Sequence, residues 1–141
     1  MKFSSFQTDA RAELEGVWCE LGEGCSLLVA RAGNAAHEEM VARLERQMRP
    51  QSMAADAELP TKVRTEIAIK AMAATLLLDW RGLLDDNGRE IPYSKEKAEE
   101  LLRTARDFRN LVSSLAMERR RFQNEETAAI MGNSKDASIG S

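Results

Sequence analysis

A twelve-residue apolar run, residues 67–78 (IAIKAMAATLLL), lies mid-chain and constrains everything around it. Only Lys70 and Thr75 carry polar side chains within it. A segment with so little polar surface reads as a helix buried over most of its circumference. It is too short to span a bilayer, so other elements of the chain must cover it. The run leads through Asp79-Trp80-Arg81-Gly82-Leu83 into a polar loop over 84–90, then into Ile91-Pro92-Tyr93-Ser94. Asn87-Gly88 supplies a tight turn, and Pro92 followed by Ser94 sets up the start of another helix. A buried helix feeding a short ordered loop flanked by Trp, Pro and Tyr suits an interaction protein.

The flanking segments supply the cover. Over 17–32, Val17, Cys19 and Leu21 alternate on one face, Gly22-Glu23-Gly24 turns the chain, and Cys25, Leu27 and Val29 resume the alternation. That pattern predicts a β-hairpin, with Trp18 on the opposite face from Val17 and Cys19. Asn34 is a good N-cap, with Glu38 and Glu39 in the first turn of a helix over about 35–48, which stops before Pro50. Pro60-Thr61 opens the apolar helix, expected over about 61–80. Ser94 caps a third helical stretch over about 94–122, where Ala98, Leu101, Leu102, Ala105, Phe108, Val112 and Leu115 recur at three- and four-residue spacing. Arg106-Asp107 marks a place where that stretch could divide into two. Phe3 and Phe6 are candidates to pin the weakly patterned residues 1–15 to the body. From about Asn124 the sequence turns small and polar, as in a disordered tail over 124–141. The fold class expected is mainly α: one helical domain over 1–123 with a small N-terminal β-hairpin and a disordered C-terminal tail.

Composition narrows the function. With 141 residues, 43% apolar and 30% charged, the chain fits a single domain with a modest core. Its formal net charge of -3 gives no general drive toward nucleic acid. The one basic cluster, Arg119-Arg120-Arg121, lies among Glu118, Glu125 and Glu126, and cations at a helix C-terminus complement its dipole. No apolar leader develops at the start, where Gln7, Asp9 and Arg11 intervene. The chain is therefore expected in a reducing cytoplasm with Cys19 and Cys25 as free thiols. The single histidine, His37, has no second ligand at metal spacing, and two thiols alone make a poor zinc site. Asp85-Asp86-Asn87-Gly88 lacks the ligand spacing and closing Glu of a calcium loop and reads as a turn. No nucleophile elbow, phosphate loop or dinucleotide fingerprint occurs. Catalytic, cofactor-binding and metal residues are accordingly none, and an enzyme is disfavoured.

Several stretches together resemble the tail assembly chaperones of long-tailed bacteriophages and prophages. They are Phe6-Gln7-Thr8-Asp9-Ala10, Glu15-Gly16-Val17-Trp18, Leu21-Gly22-Glu23-Gly24 and residues 28–34 (LVARAGN) at the start. In the middle are Trp80-Arg81-Gly82-Leu83, Asp86-Asn87-Gly88 and Ile91-Pro92-Tyr93-Ser94. The resemblance covers about residues 6–123, and its specificity lies in the order and spacing of motifs that are individually weak. It implies a non-enzymatic protein of the infected host's cytoplasm, absent from the finished virion. Such a protein coats the tape measure protein and keeps it soluble while the tail tube assembles around it. The tail tube protein is a second candidate partner, and self-association along the tape measure is implied. Many such chaperones have a longer form made by ribosomal frameshifting, and this chain would correspond to the short one.

The family has no invariant catalytic residue to carry over, so the partner surface is argued from residue type. Trp18, Trp80, Gly82, Ile91, Pro92 and Tyr93 are the candidates, because Trp and Tyr favour places where one side of a ring packs and the other meets a partner. Two rivals are a head–tail connector or other phage structural protein, and a nucleic-acid-binding regulator using residues 119–121. Neither a membrane nor a cofactor enters any of these readings.

Overall fold

The computed structural model describes residues 1–123, and the tail expected over 124–141 lies outside them. Its helices are α1 (Ala10–Glu15), α2 (Ala35–Met48), α3 (Thr61–Thr75), α4 (Lys95–Thr104) and α5 (Arg106–Met117). Its strands are β1 (Val17–Gly22), β2 (Cys25–Val29) and β3 (Leu77–Arg81). Short 3-10 turns occupy Phe3–Phe6 and Arg119–Phe122.

The expected fold class, mainly α with an N-terminal hairpin, needs correction. The strands form one antiparallel sheet in the order β1-β2-β3, and its third strand comes from mid-chain. The sequence predicts the end of the 61–80 helix there. Helix α3 stops at Thr75, whose hydroxyl donates to Ala71 O at 2.7 Å, and the Leu76 N–H closes the last turn on Met72 O at 2.9 Å. From Leu77 the chain is extended. Leu77 pairs with Val29 and Trp80 with Leu27, and Leu78 is the extra residue of a bulge between them. A Leu-rich run fits helix and strand alike, and no Gly or Pro marks the switch. What decides is tertiary: a two-stranded hairpin is marginal in water, and β2 gains a second partner from Leu77–Arg81.

The sheet has an inner face with rows Val17, Val29, Leu77 and Cys19, Leu27, Trp80. Its outer face carries Trp18, Leu28, Asp79 and Glu20, Ser26, Arg81. Helix α3 runs through the middle of the molecule, between α2 and α4, and α5 packs on β2. Ile67, Ile69, Ala71, Met72 and Ala73 of α3 are all buried, as a helix covered on several sides requires. Leu27, Val29, Leu76, Leu77, Leu102, Val112 and Phe122 are fully buried, each such side chain contributing about 1.5–3 kcal/mol.

Between Ser94 and Phe122 the chain forms α4, α5 and a 3-10 turn. The break falls at Ala105, whose backbone is extended, one residue before the position the sequence marks. Arg109 donates to Leu102 O at 2.8 Å and covers a carbonyl freed by the break. On the surface, Arg103 bonds to Glu66 and to Glu99, and Lys70 lies 3.6 Å from Glu99, lashing α3 to α4. Such exposed pairs contribute little individually. Phe3 does not pin the N-terminal segment, being 77% exposed, and Phe6, 51% exposed, meets the body through Arg119 over its ring. Hydrogen bonds to its backbone also hold it. Gln123 Nε2 donates to Ser5 O and Gln7 O, and Asp9 N–H donates to Phe122 O at 2.7 Å.

Asn34 joins these pieces. Its Oδ1 accepts from His37 N–H at 2.9 Å as the α2 cap, while Nδ2 donates to Arg31 O and to Glu13 O. The side chain is buried, so removing it forfeits the cap and takes one of two donors from each carbonyl, Arg31 O keeping the residue-34 N–H and Glu13 O the Arg31 N–H. Asn34→Ala is expected to cost about 1–2 kcal/mol, read as a lower urea midpoint at unchanged slope.

Candidate partner-binding surface

Five of the six residues that the sequence marks for partner binding meet on one side of the molecule. Trp80, Gly82, Ile91, Pro92 and Tyr93 line a shallow depression of about 440 Å³ along the side of β3 away from β2. The loop beyond β3 is locally closed: Asp85 Oδ1 accepts from Asn87 and Arg89 N–H, and Ile91 N–H donates to Leu83 O at 2.8 Å. Trp80 is only 5% exposed, and its Nε1–H donates to Ile91 O at 2.6 Å. Its ring meets Tyr93 edge-on, with centroids 4.8 Å apart. Tyr93 in turn donates its hydroxyl to Leu77 O at 2.7 Å, and burial pushes its pKa up, with Asp79 and Glu96 adding to the effect. The two rings spend their polar atoms on this chain, fastening residues 91–93 across β3. Pro92 remains exposed beside them and Ile91 is half-buried. Trp18 lies elsewhere, on the outer sheet face, with the Arg81 guanidinium 3.9 Å over its ring.

The basic cluster is also divided. Arg121 pairs with Glu118, and Arg119 lies over the Phe6 ring at 4.9 Å. Cys19 and Cys25 are free thiols, and burial raises the pKa of both, which keeps them protonated and slow to react. Among the described residues, no group of three His, Cys, Asp or Glu is placed to hold a metal, and no helix is long and apolar enough to cross a membrane.

A second surface is one that motif reading misses. Helices α2, α3 and α5 leave between them a groove of about 410 Å³. Val41, Ile67, Ala68, Met72, Leu76 and Met117 supply its apolar lining, and His37, Glu45 and Arg64 also border it. The groove exists because α2 packs against α3 yet buries none of its own residues. Ala68 is too small to close the gap, and Met117 stands 69% exposed beside it. The available sequence signal was the pair of half-used apolar stripes on α2 and α5, including a methionine with no inward place to go. Flexible thioethers adapt to differently shaped apolar partners.

His37 shapes one end of the groove. Its Nδ1 accepts from Gly33 N–H at 3.0 Å, so the folded chain holds the neutral ring. Burial lowers its pKa, only partly opposed by Glu38. The unfolded chain takes up a proton at the ordinary imidazole value of 6.5, the folded chain only at lower pH. This contribution to stability is thus whole above about pH 6.5 and is lost as pH falls through the lowered folded value. Urea midpoints between about pH 7.5 and pH 5 should therefore fall more for the native chain than for His37→Gln.

Comparison with known proteins places these elements. No curated protein and no solved structure matches the chain. The family model of the YdaY prophage protein matches residues 32–133, about seven-tenths of the sequence. The match takes in α2, α3, β3, α4 and α5, and with them the whole groove. This chain belongs to the YdaY prophage protein family, and is a protein of phage origin.

Proposed function

We propose that the protein is a non-enzymatic tail assembly chaperone that binds the phage tape measure protein through the groove between α2, α3 and α5. The observation that carries this reading is an open apolar channel, partly methionine-lined, built wholly within the region matching a prophage family. A tape measure protein is long and helical, and apolar stripes on its helices aggregate unless covered. A helix laid in a groove presents anchors at three- and four-residue spacing. The small Ala68 leaves room for one anchor, and Met72 and Met117 can adapt to others. Glu45 and Arg64 at the border offer charges of both signs to the polar flanks of such a helix. The chaperone acts in the host cytoplasm and leaves before the virion is complete.

Co-expression tests this directly. The tape measure protein of the same phage should be insoluble alone and should co-purify in soluble form with this chain. Ala68→Glu places a charge in the groove at an exposed helix position and should leave folding intact. It should reduce tape-measure recovery at least about tenfold, the scale of a buried unpaired charge at an interface. If the tape measure stays insoluble, and the protein instead appears in purified particles, the chain is a structural subunit and not a chaperone.

A further inference from the structure

Strand β1 presents an open edge. Among the described residues, no backbone group of residues 17–22 bonds to backbone beyond its hairpin partner β2, and the one side-chain contact is local, Cys19 Sγ to Val17 O at 3.6 Å. The opposite edge of the sheet is closed, because Trp80 and Tyr93 fasten residues 91–93 across β3. Soluble proteins usually blunt such an edge with Lys, Pro, a bulge or a covering segment. β1 has no Lys or Pro, and its bulge falls beyond Glu20 at the turn end. Trp18 and Leu21 are each 37% exposed along it.

We propose that β1 pairs antiparallel with β1 of a second copy of this chain, joining two sheets into one of six strands. Matching inner and outer faces across the junction puts the two-fold axis on a residue and not between two, and charge then chooses which residue. An axis at Glu20 sets the two carboxylates against each other, which is unfavourable. An axis at Trp18 leaves Glu20 facing Gly16 of the other copy. An axis at Cys19 places Trp18 opposite Glu20 of the other copy, both on the outer face. The Arg81 guanidinium already lies 3.9 Å over Trp18. Among the described residues, neither Arg81 nor Glu20 has an ion-pair partner of its own. This register brings each carboxylate beside the other copy's arginine, twice per dimer, and covers both tryptophans. The interface is separate from the helical groove and does not depend on what that groove binds.

Sedimentation equilibrium of the full chain tests the pairing. The native chain should dimerise. Glu20→Arg and Arg81→Glu, both at exposed positions, should each weaken the dimer at least about tenfold, because an attraction becomes a repulsion at two symmetric sites. The double exchange E20R/R81E should recover most of that loss, which a general defect in folding would not allow. A monomer at millimolar concentration overturns the proposal. So does a dimer indifferent to both reversals, or a double exchange no tighter than the single ones.

Discussion

Gly82→Ala is expected to lower the melting temperature by about 8–20 °C, although the change adds only one methyl group. Gly82 has φ of +68°, and a Cβ there would lie 2.1 Å from Gly24 O and 2.9 Å from its carbonyl carbon. Both obstacles are backbone, so no side chain can swing aside. The left-handed backbone costs an alanine about 1–2 kcal/mol, and shifting packed backbone costs about 1–3 kcal/mol more. The damage falls where the β1–β2 turn meets the exit of β3, so it loosens both strand junctions together. Gly88→Ala is the control. Gly88 also has positive φ, +79°, but a Cβ there meets nothing within 4 Å. It should cost only the left-handed term, about 1–2 kcal/mol. Thermal melts of the two variants separate conformational strain from close approach.

Trp80→Ala should be comparably severe, at about 3–5 kcal/mol, the usual cost of removing a large buried aromatic. It empties the inner row shared with Cys19 and Leu27, removes the edge-on partner of Tyr93 and leaves Ile91 O without its donor. Trp80→Phe keeps most of the apolar bulk and loses the N–H, so about 1–2 kcal/mol is expected. Folded Trp80→Phe protein should bind the tape measure as tightly as the native chain. Unfolding followed by far-UV circular dichroism measures the stabilities, and pull-down measures the binding. A Phe variant that is fully stable yet fails to bind would assign Trp80 to the partner surface.

Local chemistry was legible where one residue decides the outcome. Asn34 caps α2 and Ser94 caps α4 through the side-chain oxygens those positions require. The 84–90 segment closes into a turn around Asp85 and Gly88. Strand β3 was not legible, because Leu77 and Leu78 suit a helix equally and the choice is made by β2, some fifty positions earlier. Trp80, Gly82, Ile91, Pro92 and Tyr93 do come together, but residue type alone does not say which face of a ring is turned inward. Tyr93 and Trp80 both find carbonyl acceptors within the chain, something only the tertiary arrangement reveals. The groove escaped notice because it is made by what is missing, a side chain larger than alanine at position 68 and a neighbour over Met117.

Amide hydrogen exchange of the protein, alone and bound to the tape measure protein, tests most directly whether the groove is the working surface. Binding should slow exchange in α2, in the Arg64–Thr75 part of α3 and in the second half of α5, and leave residues 82–93 as they were. Slowing confined to residues 82–93, or no slowing along α2 and α5, would contradict the assignment of the groove.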